Sequence, residues 1–299
     1  MELIEYLHDS PIAFVICCGL LGLAVGSFLN VVILRLPVMM ERQWRLQCHE
    51  LLGNDDEITA KVASETTAPQ ERFDLVYPPS HCPKCGHKIT ALENIPVLSY
   101  LVLKGKCSGC GVRIPLRYPL VESVTGVLSV MVAWYFGFGW EAGAALLLTW
   151  SLICLTVIDI DHQLLPDSIT LPFLWLGLTG SLYGIFTDST GAIIGALAGY
   201  LRLWSVYKLF KWTTGKEGMG YGDFKLLAML GAWMGWKMIL PIILLSSLVG
   251  AVVGISMILL RGRDKNIPIP FGPYLATAGW ICLLWGNSIV QLYKNWMGF

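Results

Sequence analysis

The sequence predicts an all-α polytopic membrane protein with about eight transmembrane helices and a small cytoplasmic zinc-ribbon-like domain between the first two spans. Composition is the first observation, because 55% of the residues are hydrophobic and 14% are charged, whereas a soluble domain carries about 25% charged residues. Uncharged runs such as residues 11–34 and 239–260 are the second, since each reaches the roughly 20 residues that a helix needs to cross a bilayer. Two C-x-x-C pairs in the one long polar segment are the third. The formal net charge of +0 gives no indication of nucleic-acid binding.

Hydropathy divides the chain into three parts. Residues 1–37 hold the first span, residues 38–117 form a polar domain whose first part is expected to be irregular, and residues 118–299 hold the other spans. The predicted spans are 12–34, 119–138, 142–158, 168–186, 191–210, 224–236, 239–260 and 274–292. The sixth is too short to cross unless its flanking residues are drawn into the membrane, which suggests a tilted or locally thinned element.

Lysine and arginine residues predict the orientation. The segment 35–117 carries eleven of them and two further clusters lie at 208–216 and 261–265, whereas the opposite turns are short and poor in positive charge. Because basic loops stay in the cytoplasm, the polar domain is expected there and both termini are expected outside. The flank MELIEYLHDS is acidic and no small-residue cleavage site follows the first run, so this run is interpreted as a retained span and not a signal peptide.

The two C-x-x-C pairs predict a zinc site in the polar domain. They are separated by 21 residues, and the four cysteines are Cys82, Cys85, Cys107 and Cys110. Two redox pairs or two disulfides are the alternatives, and both are disfavoured in the cytoplasm. Four thiolates would close the coordination sphere, so the ion is expected to be structural and not catalytic. His81 and His87 are expected to be solvated or to lie outside that sphere.

Five aspartates lie at predicted membrane boundaries. Asp188 falls in a tight turn on the outer side and is interpreted as structural. On the cytoplasmic side, Asp159 ends the third span and Asp223 begins the sixth. Asp161 lies about 200° around the helix from Asp159, so these two carboxylates cannot share a face. Asp167 before SITLP is interpreted as a helix N-cap, with a supporting role in catalysis as the alternative.

Asp159 and Asp223 could form a carboxylate pair from two different spans. Such a pair can share one proton, with one member taking a proton from water and the other donating to a carbonyl. An ion pathway or a structural pairing stays open at this point. The glycines in GYGD, Gly220 and Gly222, would let the backbone approach an extended substrate or bend so that Asp223 faces its partner. The chain contains neither H-E-x-x-H nor G-x-S-x-G.

The motifs, taken in order, resemble those of bifunctional type IV prepilin peptidases, also called prepilin leader peptidase/N-methyltransferases. The resemblance covers nearly the whole chain through GSFLNVVILRLP, the paired cysteine knuckles, NIPVLSYLVLKGKC, RYPLVE, DIDHQLLPD, GMGYGDFKLLAMLGAWMG and PFGPYLATAG. The G-x-G-D element is shared with presenilin-like intramembrane proteases and is weak alone, but the ordered set is highly specific. Leu34 stands where the family commonly has an aromatic residue, and PPSHCPKC departs from the usual Pro-Arg-Ser without affecting the metal ligands.

The resemblance implies an aspartic endopeptidase and N-methyltransferase of the bacterial cytoplasmic membrane. Such enzymes cut the short basic leader from prepilins and pseudopilins at the cytoplasmic face, after a glycine, and then methylate the new amino terminus with S-adenosylmethionine. Carried over to this chain, the catalytic pair is Asp159, the first aspartate of DIDH, and Asp223 of GYGD. Simpler preflagellin peptidases lack the tetra-cysteine domain, so its presence favours the methylating branch. The motifs do not discriminate between type IV pili and type II secretion, and the methyl-donor site is not recognisable.

Two other functions remain as alternatives. An intramembrane aspartyl protease without methylation would share the G-x-G-D element but would not need the zinc domain or GSFLNVVILRLP. A non-enzymatic transporter or assembly scaffold would use the aspartates as an ion path. The aspartates are predicted at one edge of the membrane, whereas transporter sites usually lie at the bilayer midplane.

Overall fold

The structure, a computed structural model, describes residues 2–52, 72–216, 218–261 and 270–297. Within these ranges the chain forms helices and two isolated antiparallel bridges, with no longer strand. The α-helices are α1 Glu2–Asp9, α2 Pro11–Leu52, α3 Leu98–Val102, α4 Arg117–Phe136, α5 Trp140–His162, α6 Asp167–Ser181, α7 Ser189–Thr214, α8 Tyr221–Met234, α9 Ile239–Arg261 and α10 Gly272–Met297, and a 3₁₀ turn covers Trp236–Met238. The prediction of an all-α membrane protein is confirmed.

Each of the eight predicted spans overlaps a helix, although α6 ends at Ser181, before the predicted end of span four at residue 186. By length and hydropathy, the described chain has five segments that can cross a membrane: Pro11–Cys48, Arg117–Phe136, Trp140–His162, Trp236–Met257 and Gly272–Leu292. These are predicted spans one, two, three, seven and eight. The helices α6, α7 and α8 correspond to spans four to six and do not meet both criteria, so a membrane crossing by these three stays a prediction.

The first helix is longer than the sequence analysis predicted. The beginning of the polar domain was expected to be irregular, but α2 continues through Pro37 to Leu52. Residues 38–52 are rich in Met, Leu, Gln, Glu and Arg, which are good helix formers, and Arg45 pairs with Glu41 one turn earlier at 2.7 Å. The expectation is therefore wrong for this stretch, and residues 53–71 of the same domain lie outside the described residues.

Contacts divide the chain into two compact units, residues 1–20 with 127–299 and residues 21–126. The larger unit is built around α8. Every residue of α8 from Asp223 to Met234 is buried except Lys225. A helix of this length spans only about 21 Å, less than the roughly 30 Å of a bilayer core. The helix can be short because neighbouring protein covers its apolar surface on all sides.

Small residues allow α7 to approach α8 closely. A Cβ atom on Gly195 would collide with the backbone of Gly231, and one on Gly231 would collide with the backbone of Gly195. One turn along α7, a Cβ on Gly199 would lie 2.6 Å from the carbonyl oxygen of Leu227. Backbone-to-backbone packing of this kind is typical of membrane helices, and here it holds α7 against the second half of α8.

The outer surface of α9 is apolar. Its exposed large side chains recur every three or four residues on one face: Leu240, Leu244, Leu248, Val252, Ile255 and Leu259. A continuous exposed apolar stripe is unfavourable in water and marks an interaction surface. With the high hydropathy of this segment, the stripe is consistent with contact to lipid.

Candidate active site and metal centre

Asp159 lies near the end of α5 and is 5% exposed. Its Oδ2 accepts a hydrogen bond from the Gly272 N–H at 3.0 Å. Because Gly272 is the first residue of α10, the carboxylate lies at a helix N-terminus, where backbone N–H groups and the helix dipole favour negative charge. Sequence reasoning missed Gly272 as a partner of Asp159. The available signal was the Gly-Pro pair at the start of an apolar run, since proline favours the first turn of a helix.

Asp223 lies in the first turn of α8 and is 8% exposed. Gly220 is the N-cap of this helix, with φ −79° and ψ 152°. The Asp223 N–H donates to the Gly220 carbonyl at 3.3 Å. The carboxylate therefore occupies a buried position at the N-terminus of a helix that is enclosed by protein along its length.

The structure brings Asp159 and Asp223 to the same place. The two carboxylates interact electrostatically. Leu165 connects the two neighbourhoods, since a Cβ on Gly222 would lie 2.8 Å from Leu165 Cβ, and one on Gly272 would lie 3.3 Å from Leu165 Cδ1. Asp161 is instead exposed, as its position on the helix predicts.

The two glycines before Asp223 differ in what surrounds them. A Cβ on Gly222 would collide with the Leu165 side chain, so this residue must be small for α8 to pack beside the loop after α5. A Cβ on Gly220 would meet nothing closer than the Gly222 nitrogen at 4.0 Å, and its backbone angles are open to any residue. Packing therefore explains why residue 222 is a glycine, whereas a contact of Gly220 with the substrate stays a prediction.

An ion pair joins the starts of α6 and α8. Lys225 Nζ lies 2.7 Å and 2.6 Å from the two carboxylate oxygens of Asp167. Asp167 is the first residue of α6, and Pro166 takes the N-cap position. The N-cap prediction for Asp167 is therefore wrong, and its carboxylate instead forms the ion pair with Lys225. Asp188 is structural as expected: it is the N-cap of α7 and accepts from the Gly191 N–H at 3.2 Å.

The four predicted cysteines lie together in the smaller unit. Their Sγ atoms all lie within 4.8 Å of one another, with Cys82 and Cys110 at 3.8 Å and Cys85 and Cys107 at 3.9 Å. None of the four is in a disulfide. A tetrahedral zinc ion with Zn–S bonds of about 2.3 Å needs sulfur–sulfur separations of about 3.8 Å. The donor set and its spacing therefore fit one zinc ion.

The two C-x-x-C-G segments, residues 82–86 and 107–111, are called knuckles here and have the same pattern of backbone hydrogen bonds. In the first, the Cys82 N–H donates to the His87 carbonyl at 2.8 Å and the Gly86 N–H donates to the Cys82 carbonyl at 2.9 Å. The second knuckle repeats both bonds around Cys107, each at 2.9 Å. The glycine after each pair has a φ of 71° or 69°, a conformation that favours glycine. Sequence reasoning identified no internal repeat, because little beyond the Cys-x-x-Cys-Gly pattern is shared.

The Glu93 carboxylate contacts residues of the second knuckle and residues that follow the first. It accepts hydrogen bonds from the Ser108 hydroxyl in the second knuckle and from the Thr90 N–H and hydroxyl, at 2.8 Å and 2.9 Å for Thr90. It also lies 3.2 Å from Nε2 of His87, beside the first knuckle. These hydrogen bonds, that from Ser108 above all, lower the pKa of Glu93 to about 2. Glu93 is therefore held as a carboxylate next to the cluster.

Two family models match the chain. The bacterial peptidase A24 N-terminal domain matches residues 20–136, and the type IV leader peptidase family matches residues 146–255. The first match contains all four cysteines of the cluster, and the second contains both buried aspartates. The metal centre and the aspartate pair therefore lie in regions that match two different family models.

Curated proteins named prepilin leader peptidase/N-methyltransferase are similar over nearly their full length. The protein from Pseudomonas aeruginosa is 57% identical over 299 residues, which is 100% of both chains. The proteins from Stutzerimonas stutzeri and Aeromonas salmonicida are 56% and 55% identical over 293 and 295 residues, 98% of each chain. No solved structure gives a significant match.

Proposed function

The chain belongs to the type IV leader peptidase family, and from this premise we propose that it removes the leader from prepilins and pseudopilins and then methylates the new amino terminus. The observation that carries the proposal is the pair of buried aspartates at two neighbouring helix ends. The match to the bacterial N-terminal domain supports the methylating branch. The enzyme is a multi-pass protein of the inner membrane.

Asp159 and Asp223 act as a general acid–base pair. One ionised carboxylate takes a proton from a water molecule that attacks the scissile carbonyl, and the protonated partner donates to the carbonyl oxygen. Two buried carboxylates in proximity favour a single shared proton, because two adjacent negative charges repel each other where little water is present to solvate them. The Gly272 N–H stabilises the ionised form at Asp159 Oδ2, and so it favours Asp159 as the initial base.

The peptide backbone of the substrate approaches the site over Gly220. A Gly220→Ala chain can be accommodated by the fold, since the added Cβ meets no atom closer than 4.0 Å. Any loss of cleavage in this variant therefore reports on the substrate and not on folding. We expect a higher KM for a prepilin with an unchanged melting temperature, and an unchanged KM would remove Gly220 from the substrate path.

Zinc serves the smaller unit as a structural ion. Cys82, Cys85, Cys107 and Cys110 supply four thiolates, which leave no open position for a water molecule. The metal's contribution is to fix the two knuckles relative to each other. Leader cleavage is assigned to the aspartates and needs no Lewis acid from this site.

The orientation follows the distribution of basic residues. Both termini lie outside the cytoplasm, and the cysteine domain and the aspartate pair face the cytoplasm. A prepilin is then cut where its apolar segment meets its basic leader. Labelling of cysteines introduced at Thr190, an exposed residue beside the outer turn, and at Lys265 in intact cells tests this, because only the first is expected to react with an impermeant reagent. The parent chain gives the background from its native cysteines.

Mass spectrometry of the product tests the two activities together. The purified full chain is incubated with a prepilin, with and without S-adenosylmethionine. Leader removal is expected in both reactions and one added methyl group only in the first. Cleavage without methylation would favour an intramembrane aspartyl protease that lacks the second activity, and no reaction at all would favour a transporter or scaffold.

A further inference from the structure

The smaller unit encloses a cavity that the peptidase chemistry does not use. It has a volume of ≈ 540 Å³ and lies among α2, the cysteine domain and the beginning of α4, and its lining includes Cys82 and Cys107. We propose that this cavity binds S-adenosylmethionine, the methyl donor, and so is the donor site of the methyltransferase activity. The proposal rests on the proposed function, because it assumes that the chain transfers a methyl group.

The size and the walls of the cavity suit a nucleoside ligand. Small-molecule sites usually have volumes of about 300–1,000 Å³, with apolar and aromatic walls and a few placed polar groups. Here Val31 and Leu34 of α2, Leu103 of the cysteine domain, and the aromatic rings of Tyr100 and Tyr118 form apolar walls. Aromatic rings of this kind can stack on an adenine base.

Glu122 supplies the negative charge that a sulfonium cation needs. This half-buried residue of α4 lines the cavity. Its Oε2 accepts from the Val97 N–H at 2.8 Å, and its second described partner is the hydroxyl of Ser27. Both of these partners in the described part of the chain are neutral. A carboxylate against apolar walls is costly without a counter-charge, and a bound sulfonium or amino group would provide one.

Arg35 supplies the complementary positive charge on α2. Its Nη1 donates to the Asp74 carbonyl at 2.9 Å and its Nη2 donates to the Pro78 carbonyl at 2.6 Å. These bonds use two of the five N–H donors of the guanidinium and fix it in the cavity wall. The remaining donors can bind the carboxylate of the methionine part of the ligand. The lining carries charges of both signs, since Glu93, Lys84 and Arg113 also belong to it. Among these charges, the Glu122 carboxylate and the Arg35 guanidinium match the sulfonium and the carboxylate of the donor.

The transfer itself balances without any further reactant. The lone pair of the neutral amino terminus forms the N–CH₃ bond while the S–CH₃ bond breaks. The sulfur keeps the bonding pair and becomes a neutral thioether, and the displaced proton leaves the nitrogen to water. Glu122 binds the cation before transfer and loses this attraction when the sulfur becomes neutral, which favours release of the product.

Direct donor binding tests the assignment independently of enzyme activity. Binding of radiolabelled S-adenosylmethionine to the detergent-purified full chain is measured by equilibrium dialysis for Glu122→Gln and Val31→Phe. The first removes the charge at constant size, and the second fills the cavity from α2. Glu41→Gln, at an exposed position on the same helix, is the matched control. Zinc content and melting temperature verify that each protein is folded.

We expect donor binding to weaken about tenfold or more in both cavity variants and to stay unchanged in the control. Glu122→Gln loses a charged partner of the ligand, and Val31→Phe loses the space that the ligand would occupy. Methylation of a pre-cleaved pilin at limiting donor should fall in parallel, while prepilin cleavage changes much less. The proposal is overturned if either folded cavity variant binds the donor like the parent chain, or if cleavage falls as far as donor binding. If the parent chain binds no donor and methylates no pilin, it is the proposed second activity that fails.

Discussion

Two aspartates that lie two residues apart on α5 show how position decides what a residue can do. Asp159 is 5% exposed and its carboxylate bonds to the N-terminus of α10, whereas Asp161 is exposed. A carboxylate at an exposed position is solvated by water. One that is buried beside a second carboxylate can retain a proton and present it to a substrate.

The first prediction concerns these carboxylates. Asn preserves the size of Asp but cannot take up or release a proton, so Asp159→Asn or Asp223→Asn should each lose roughly 10²–10⁴-fold in cleavage rate. Asp161→Asn is the matched control and should be much milder. Prepilin cleavage is compared at equal membrane levels of each variant. An inactive Asp161→Asn chain beside an active Asp159→Asn chain would mean that the wrong aspartate was chosen.

The second prediction makes Gly272 a positioning residue for Asp159. A Cβ at this position would lie 2.6 Å from Asp159 Oδ2, so Gly272→Ala should displace the carboxylate. A misplacement of about 1 Å at a reacting group can cost on the order of 10²-fold in rate. We expect kcat for prepilin cleavage to fall with little change in KM.

Gly143→Ala is the control for that experiment. Gly143 lies on α5, the helix of Asp159, and a Cβ there meets nothing within 4 Å. Its kcat and melting temperature should match those of the parent chain. A Gly272→Ala chain with parental kcat would show that the contact to Asp159 does not set the geometry of the reaction.

At the scale of elements, the two knuckles depend on the ion that they share. Cys82→Ser should abolish stoichiometric zinc binding and lower the melting temperature of the smaller unit, because three thiolates no longer close the tetrahedron. Cys48→Ser, at an exposed position on α2, should retain about one zinc ion per chain. Metal analysis after gel filtration gives the answer. A parent chain that purifies active and without zinc would exclude a structural role for the metal.

Glu93 is the second support of the same element. Glu93→Gln retains the size of the side chain but replaces the charged carboxylate, whose oxygens accept hydrogen bonds from Ser108 and Thr90, by a neutral amide. Loss of such an outer contact typically lowers metal affinity 10–100-fold, and we expect about tenfold here because Glu93 does not bind a ligand directly. Competition with a chromogenic zinc chelator measures the affinity, and Glu50→Gln on α2 serves as the control. Equal affinities in the two variants would contradict the role of Glu93.

The same elements show what the sequence could and could not predict. Long apolar runs predicted every span as a helix, and the C-x-x-C spacing predicted the cysteine cluster, because both signals are local in the chain. The extension of α2 to Leu52 was missed because polar residues in a helix outside the membrane leave no hydropathy signal. Gly272 and the Lys225–Asp167 pair were missed because each joins positions far apart in sequence.

At the scale of the whole molecule, the chain divides its chemistry between two units. The aspartate pair belongs to the larger unit, and the cysteine cluster and the cavity beside it belong to the smaller one. Cleavage needs a general acid and a general base to activate water. Methyl transfer from a sulfonium needs no general acid, because its leaving group departs as a neutral thioether, and it needs no water-activating base when the amino terminus attacks in its neutral form. The two reactions therefore need no common residue.

The last prediction follows from this division. An Asp223→Asn chain should fail to cleave prepilin yet methylate an already cleaved pilin at the rate of the parent chain, since the substitution leaves the smaller unit unchanged. Labelled S-adenosylmethionine and a pre-cleaved pilin are supplied, and methyl incorporation is followed over time at matched enzyme levels. Zinc content and donor binding are measured on the same preparation. If the variant retains both and still transfers no methyl group, the aspartate pair takes part in the second reaction as well, and the separation of the two activities is wrong.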